Sequence, residues 1–123
     1  MKLNYKYHVV SDNNISSKQI KKKILKIISN NNLLKSDCII VIGGDGFMLK
    51  TLIKLYKLKK PFYGLNSGNY GFLMNKFNKK NFFKNLTNAN PVSINPIEMV
   101  VITKNNQRKK SIAINEISIL RQS

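Results

Sequence analysis

The run Cys38-Ile39-Ile40-Val41-Ile42 constrains the fold of this chain more than any other feature. It is short, rich in β-branched residues and apolar at every position. A strand with one wet face alternates apolar and polar residues, whereas one without alternation must be covered on both faces. The run stops at Gly43-Gly44-Asp45-Gly46, after which Met48, Leu49, Leu52, Ile53, Leu55 and Tyr56 recur at helical spacing. Strand, glycine turn and helix form the unit from which covered parallel sheets are built. The run is far shorter than the ~20 residues a membrane helix needs.

The flanking sequence repeats the alternation. Tyr5 to Val10 reads as a strand, ended by Ser11-Asp12-Asn13-Asn14. Ser16 or Ser17 is expected to cap a helix to about Ser29, with Ile20, Ile24, Ile27 and Ile28 on one face and Lys21, Lys22, Lys23 and Lys26 facing solvent. Asn30-Asn31-Asn32 ends it. Pro61 stops the second helix, and Phe62 to Leu65 reads as a third strand entering Asn66-Ser67-Gly68-Asn69-Tyr70-Gly71. The fold class is therefore α/β, a Rossmann-like parallel sheet flanked by helices. Asn78 is expected to cap a short helix carrying a Phe82-Phe83 core pair and Leu86. From Pro91 the texture becomes antiparallel β, with a turn at Asn105-Asn106-Gln107. A boundary near residue 90 divides the chain into an α/β domain, 1–90, and the start of an all-β second domain, 91–123.

Composition narrows the function. The 123 residues carry 22 basic and 5 acidic side chains, a net charge of +17. Such a charge usually points to a polyanion. Here, however, 20 of the 22 are Lys, alongside 18 Asn and 16 Ile. A+T-rich codons encode those residues, and readers of nucleic acid favour Arg for its planar fork. No specific nucleic-acid partner is expected. One Cys and one His make an internal disulfide impossible and a zinc site improbable. Cys38 is expected to be an inert core thiol and His8 a strand residue. The N-terminus has no apolar signal segment, so the cytoplasm is the default location and no membrane partner is expected.

The five acids, Asp12, Asp37, Asp45, Glu98 and Glu116, stand out by their rarity. Asp45 lies among glycines where a parallel-sheet strand ends, the place where such sheets bind ligands. Backbone N–H groups at the following helix start favour a phosphate. A carboxylate there suits accepting a proton from a substrate hydroxyl or holding a metal. The alternative is a tight turn whose Asp caps the helix. Asn66, at the end of the next strand, either hydrogen-bonds a ligand or holds its turn. Asn115-Glu116, embedded in an isoleucine-rich strand, is a polar pair that needs satisfying or using.

Together, Gly43-Gly44-Asp45-Gly46, the stretch Gly64-Leu65-Asn66-Ser67-Gly68-Asn69-Tyr70-Gly71-Phe72-Leu73 and the pair Asn115-Glu116 resemble the NAD kinase family. The glycine-aspartate run alone is shared with diacylglycerol kinases and ATP-dependent phosphofructokinases, whereas the second stretch separates NAD kinases from them. The resemblance implies phosphoryl transfer from ATP, or polyphosphate in some members, to the 2′-hydroxyl of the adenosine ribose of NAD, giving NADP. It makes Asp45 the catalytic proton acceptor and Asp45, Gly46, Lys50, Asn115 and Glu116 the NAD-binding residues. Gly43, Gly44, Asn66 and Phe72 would shape the pocket or contact phosphate. The nucleotide would bring Mg²⁺, with no dedicated metal ligand in the chain, and the family suggests a homo-oligomer. Phe47, where many members have a smaller polar residue, is expected to alter the phosphate pocket. The chain ends soon after the Asn-Glu pair, so a truncated or split member is expected. The alternatives are a related lipid or sugar kinase and a basic polyanion-binding protein.

Overall fold

The computed structural model describes residues 5–68, 71–94, 97–102, 108–114 and 117–122. Strand β1 (Tyr7–Ser11) leads to helix α1 (Ile15–Ile24), β2 (Cys38–Gly43), α2 (Asp45–Leu55) and β3 (Phe62–Asn66). A two-residue β4 (Asn75–Lys76) and α3 (Phe82–Thr87) follow, then β5 (Asn90–Ile94), β6 (Ile97–Ile102), β7 (Arg108–Ile114) and β8 (Ile117–Arg121).

The first three strands pair in parallel, in the order β1-β2-β3. β8 joins β3 in parallel and β5 closes that side antiparallel to β8. β6 and β7 form a separate antiparallel ribbon. The α/β architecture expected from the alternation is therefore present, and the sheet is mostly parallel with one antiparallel strand, β5, at its edge. Strands β5 and β8, both from the β-textured stretch, hydrogen-bond into this one sheet.

β2 is buried at all six positions because the chain covers both its faces. Cys38, Ile40 and Ile42 pack with Tyr7, Val9, Tyr63, Leu65 and Leu120 against Ile24 of α1 and Phe82 and Leu86 of α3. Ile39 and Val41 pack with Phe62 and Ile119 against Met48 and Leu52 of α2. Cutting any of these isoleucines to Ala is expected to cost about 2–5 kcal/mol.

Three local expectations are corrected. α1 begins after Asn14, and Ser17 is buried inside it instead of capping it. It also ends at Ile24, five residues early, leaving Ile27 43% exposed. The reason lies at the sheet edge. Asn31 N–H donates to Tyr7 O at 2.9 Å, and the Asn30 carboxamide bonds both Val9 N–H and Val9 O at 3.0 and 3.3 Å. The asparagine run thus covers the open side of β1, and the chain must leave the helix early to reach it. His8, a strand residue as expected, shares a 2.8 Å hydrogen bond between Nδ1 and Asn31 O. Lastly, Asn78 Oδ1 accepts from Lys80 N–H in the turn before α3, whose flanking residue is Asn81; Phe82 is buried but Phe83 is 37% exposed.

Candidate active site

The site forms where β1, β2 and β3 end side by side. Asp12 N–H donates to Ile42 O, and Ser67 N–H to Gly43 O, both at 3.1 Å, so the three strand exits are tied together. Glycine is required at position 43 by close approach: a Cβ there would stand 2.8 Å from Asp12 Oδ2 and 3.0 Å from Phe47 Cδ2. Gly44 and Gly46 differ, because a Cβ at either would meet nothing within 4 Å. Protein packing does not demand glycine at these two positions, and the space beside Asp45 stays open.

Gly44 flanks α2, and Asp45 is its first residue. A negative side chain there is favoured by the helix dipole. The Asp45 carboxylate does not cap its own helix. It reaches across to the loop after β3, where Phe72 N–H donates to Oδ2 at 2.8 Å and Leu73 N–H to Oδ1 at 3.0 Å. Such bonds to a charged acceptor are stronger than neutral ones. Each oxygen keeps lone-pair capacity, since a carboxylate has about four acceptor positions. Gly71 allows the approach, its ideal Cβ lying only 3.0 Å from Asp45 Oδ1.

The loop that holds this carboxylate also borders a cavity of about 460 Å³, lined by Ile20, Asn66, Gly68, Gly71, Met74, Lys76 and Phe77, and Gly71 is the residue that approaches both. Asn66 Oδ1 accepts from Gly68 N–H at 2.9 Å, so this side chain holds its turn and also lines the cavity. Phe72 is 69% exposed at the mouth of this loop. The buried Ser17 hydroxyl donates to Ser67 Oγ at 2.6 Å, tying α1 to the same loop.

The structure thus brings together Asp45, Gly43, Gly44, Gly46, Asn66 and Phe72. Lys50 stands apart, in a second cavity of about 320 Å³ between α2 and β1, lined also by His8, Val10, Leu33, Phe47, Thr51, Lys54 and Leu55. Phe47, expected at the phosphate pocket, lines this second cavity. Asn115 and Glu116 lie outside the described residues. Among the described residues, no three His, Cys, Asp or Glu side chains cluster as a metal cage. Cys38 is fully buried, and burial, with a smaller contribution from Asp37, pushes its thiol up to about 12. It is an inert core thiol, as expected.

The sequence reading missed Lys76 at the cavity, the Ser17–Ser67 bond and three residues that hold the loop: Asn75, Arg121 and Gln122. Arg121 carried one signal, being one of two arginines in a chain that otherwise uses lysine.

Comparison with known proteins adds an independent line. The family profile described as the ATP-NAD kinase N-terminal domain matches residues 2–91. A protein named NAD kinase from Rhizobium meliloti (strain 1021) is 40% identical over 89 residues, covering 72% of this chain and 35% of the relative. One from Rickettsia bellii (strain OSU 85-389) is 36% identical over 115 residues, covering 94% of this chain and 45% of the relative. A third, from Cereibacter sphaeroides (strain ATCC 17029 / ATH 2.4.9), is 42% identical over 89 residues, 72% of this chain and 35% of the relative. The chain therefore spans less than half the length of these curated relatives. With the profile match covering most of the chain, and its glycine-aspartate motif and second glycine-rich stretch meeting at Asp45, this chain belongs to the NAD kinase family.

Proposed function

We propose that the chain carries the hydroxyl-activating part of an NAD kinase, which transfers the γ-phosphoryl group of ATP to the 2′-hydroxyl of the adenosine ribose of NAD. The observation that carries this reading is Asp45: a carboxylate fixed by two loop amides, with open space at the flanking Gly44 and Gly46 and a 460 Å³ cavity bordered by Gly71 of the same loop. Phosphoryl transfer passes through a loose transition state, so positioning and charge neutralisation outweigh base strength. Asp45 holds its place through its amide bonds and uses its remaining lone pairs to take the proton as the hydroxyl oxygen bonds to phosphorus. Asn66, Gly68 and Gly71 wall the cavity for the acceptor nucleotide, and Lys76 supplies positive charge at its rim.

A divalent ion fits the chemistry present as a companion of the nucleotide. Asp45 is a hard oxygen donor suited to Mg²⁺ or to its bound water, and the described residues offer no cage for a resident metal. When bound, the ion would neutralise the phosphate oxygens. Lys50, Asn115 and Glu116 are assigned to NAD binding on the family resemblance, Lys50 from the neighbouring cavity. Residues 91–123 are read as the opening of a β-rich NAD-binding domain whose strands β5 and β8 extend the first sheet. A homo-oligomer in the cytoplasm accords with the family, and among the described residues no helix is long and apolar enough to cross a membrane.

The test is NADP formation by the chain with NAD, ATP and Mg²⁺, beside Asp45→Asn. Loss of general-base catalysis is expected to lower the rate about 100-fold or more. Equal, measurable NADP formation by the two proteins, or phosphorylation of a lipid or sugar in place of NAD, would overturn the reading.

A further inference from the structure

The edge of β3 is shared between two strands. β8 pairs with its first half, at Phe62 and Tyr63, and β4 with its second half, at Leu65 and Asn66. Gly64 falls at the junction, where a strand carbonyl would lack a partner. Asn75 fills that gap. Its Nδ2 donates to Gly64 O at 3.0 Å and to Leu120 O at 3.1 Å, and its Oδ1 accepts from Gln122 N–H at 2.9 Å. The side chain is buried, and both ends of its carboxamide are satisfied.

The end of β8 grips the same loop at two further points. Gln122 Nε2 donates to Lys76 O at 3.0 Å and to Tyr63 Oη at 2.9 Å, and Arg121 Nη1 donates to Phe72 O. The Phe72 carbonyl held by Arg121 shares its peptide unit with the Leu73 N–H and its residue with the Phe72 N–H, the two amides that hold Asp45. We propose that Asn75, with Arg121 and Gln122, forms a positioning latch through which the end of β8 aligns the Phe72–Leu73 amides on the Asp45 carboxylate.

Asn75 touches no reacting atom and acts through the loop. β8 begins directly after residues 115–116, so the strand that follows the Asn-Glu pair also aligns the carboxylate. The functional consequence rests on the proposed role of Asp45, whereas the alignment itself can be measured without it.

The test is amide hydrogen exchange by NMR on the ¹⁵N-labelled chain, comparing wild type with Asn75→Asp. The variant keeps the acceptor for Gln122 and removes the donor to Gly64 and Leu120. Exchange at Phe72 and Leu73 is expected to rise at least tenfold, while amides of Ile40 and Val41 keep their wild-type protection. A purely structural role would instead raise exchange throughout the sheet. Arg121→Met, at an exposed side chain, is the second arm should Asn75→Asp fail to fold, and it should loosen the same two amides by about threefold. Unchanged exchange at Phe72 and Leu73 in the folded variants, or loss spread evenly over the sheet, overturns the proposal. In NADP assays Asn75→Asp should lower kcat at least tenfold with KM for NAD within twofold. A wild-type kcat in that variant, with Asp45→Asn inactive, overturns the latch and leaves the proposed function standing. An active Asp45→Asn overturns the proposed function, and the exchange data then decide the latch.

Discussion

Raising the pH from 8 to 11 is expected to destabilise this protein through Cys38. The thiol is fully buried, and its pKa is raised from 9.0 to about 12, mainly by burial. The fold therefore favours the neutral form. In the unfolded chain the thiol begins to lose its proton near pH 9, while the folded thiol keeps it. Stability is complete below that point and falls by about 1.4 kcal/mol per pH unit until the folded group titrates. At pH 11, two units above the unfolded value, the loss is about 2.7 kcal/mol, a large fraction of an ordinary domain's stability. Lysines also lose charge in this range, relieving repulsion in a strongly basic chain, so wild type alone would give an ambiguous slope. Cys38→Ala isolates the thiol. Urea unfolding of both proteins at pH 8, 9, 10 and 11, under reducing conditions, gives two stability curves. Cys38→Ala should be the less stable at pH 8, because it leaves a cavity, and the difference should shrink by about 2.7 kcal/mol by pH 11. Parallel curves would refute the argument. So would rapid alkylation of the native thiol at pH 8, since a thiol held neutral and buried does not react.

Tyr7 is 3% exposed, and among the described residues its hydroxyl has no hydrogen-bond partner. Tyr7→Phe should therefore raise stability by about 1 kcal/mol in urea unfolding, and a loss of that size would show that the hydroxyl is satisfied after all. Gly43→Ala forces a methyl group against Asp12 and Phe47 where the strand exits meet, and thermal unfolding should register a loss of about 1–3 kcal/mol. An unchanged melting temperature would mean that the two side chains swing clear at little cost. Asn30→Ala exposes the Val9 peptide on the open edge of β1. A loss of about 1–2 kcal/mol and faster concentration-dependent association are expected, the latter measured by light scattering.

The α/β class was legible because β2 has apolar residues at every position and therefore needs cover on both faces. Asp45 was legible because the chain has few carboxylates and this one stands among glycines at a strand end. These signals are local: a strand's burial and a turn's glycines are written in consecutive residues. The glycines did not reveal what Asp45 would bind. Capping its own helix and reaching across the site fit the same residues, and the choice follows from a loop 27 residues downstream. Helix α1 ends early because Asn30 and Asn31 are needed at the edge of β1, a demand no helical periodicity records. Asn75 and Gln122 looked like ordinary polar residues in a chain rich in asparagine. Their role exists only because β3 divides its edge between β4 and β8, which are far apart in sequence. Local patterning thus determined which residues form the sheet and where its candidate site lies. Tertiary structure decided which groups meet there, because hydrogen bonds between distant segments depend on strand order and register, and neither is encoded in any one stretch of the chain.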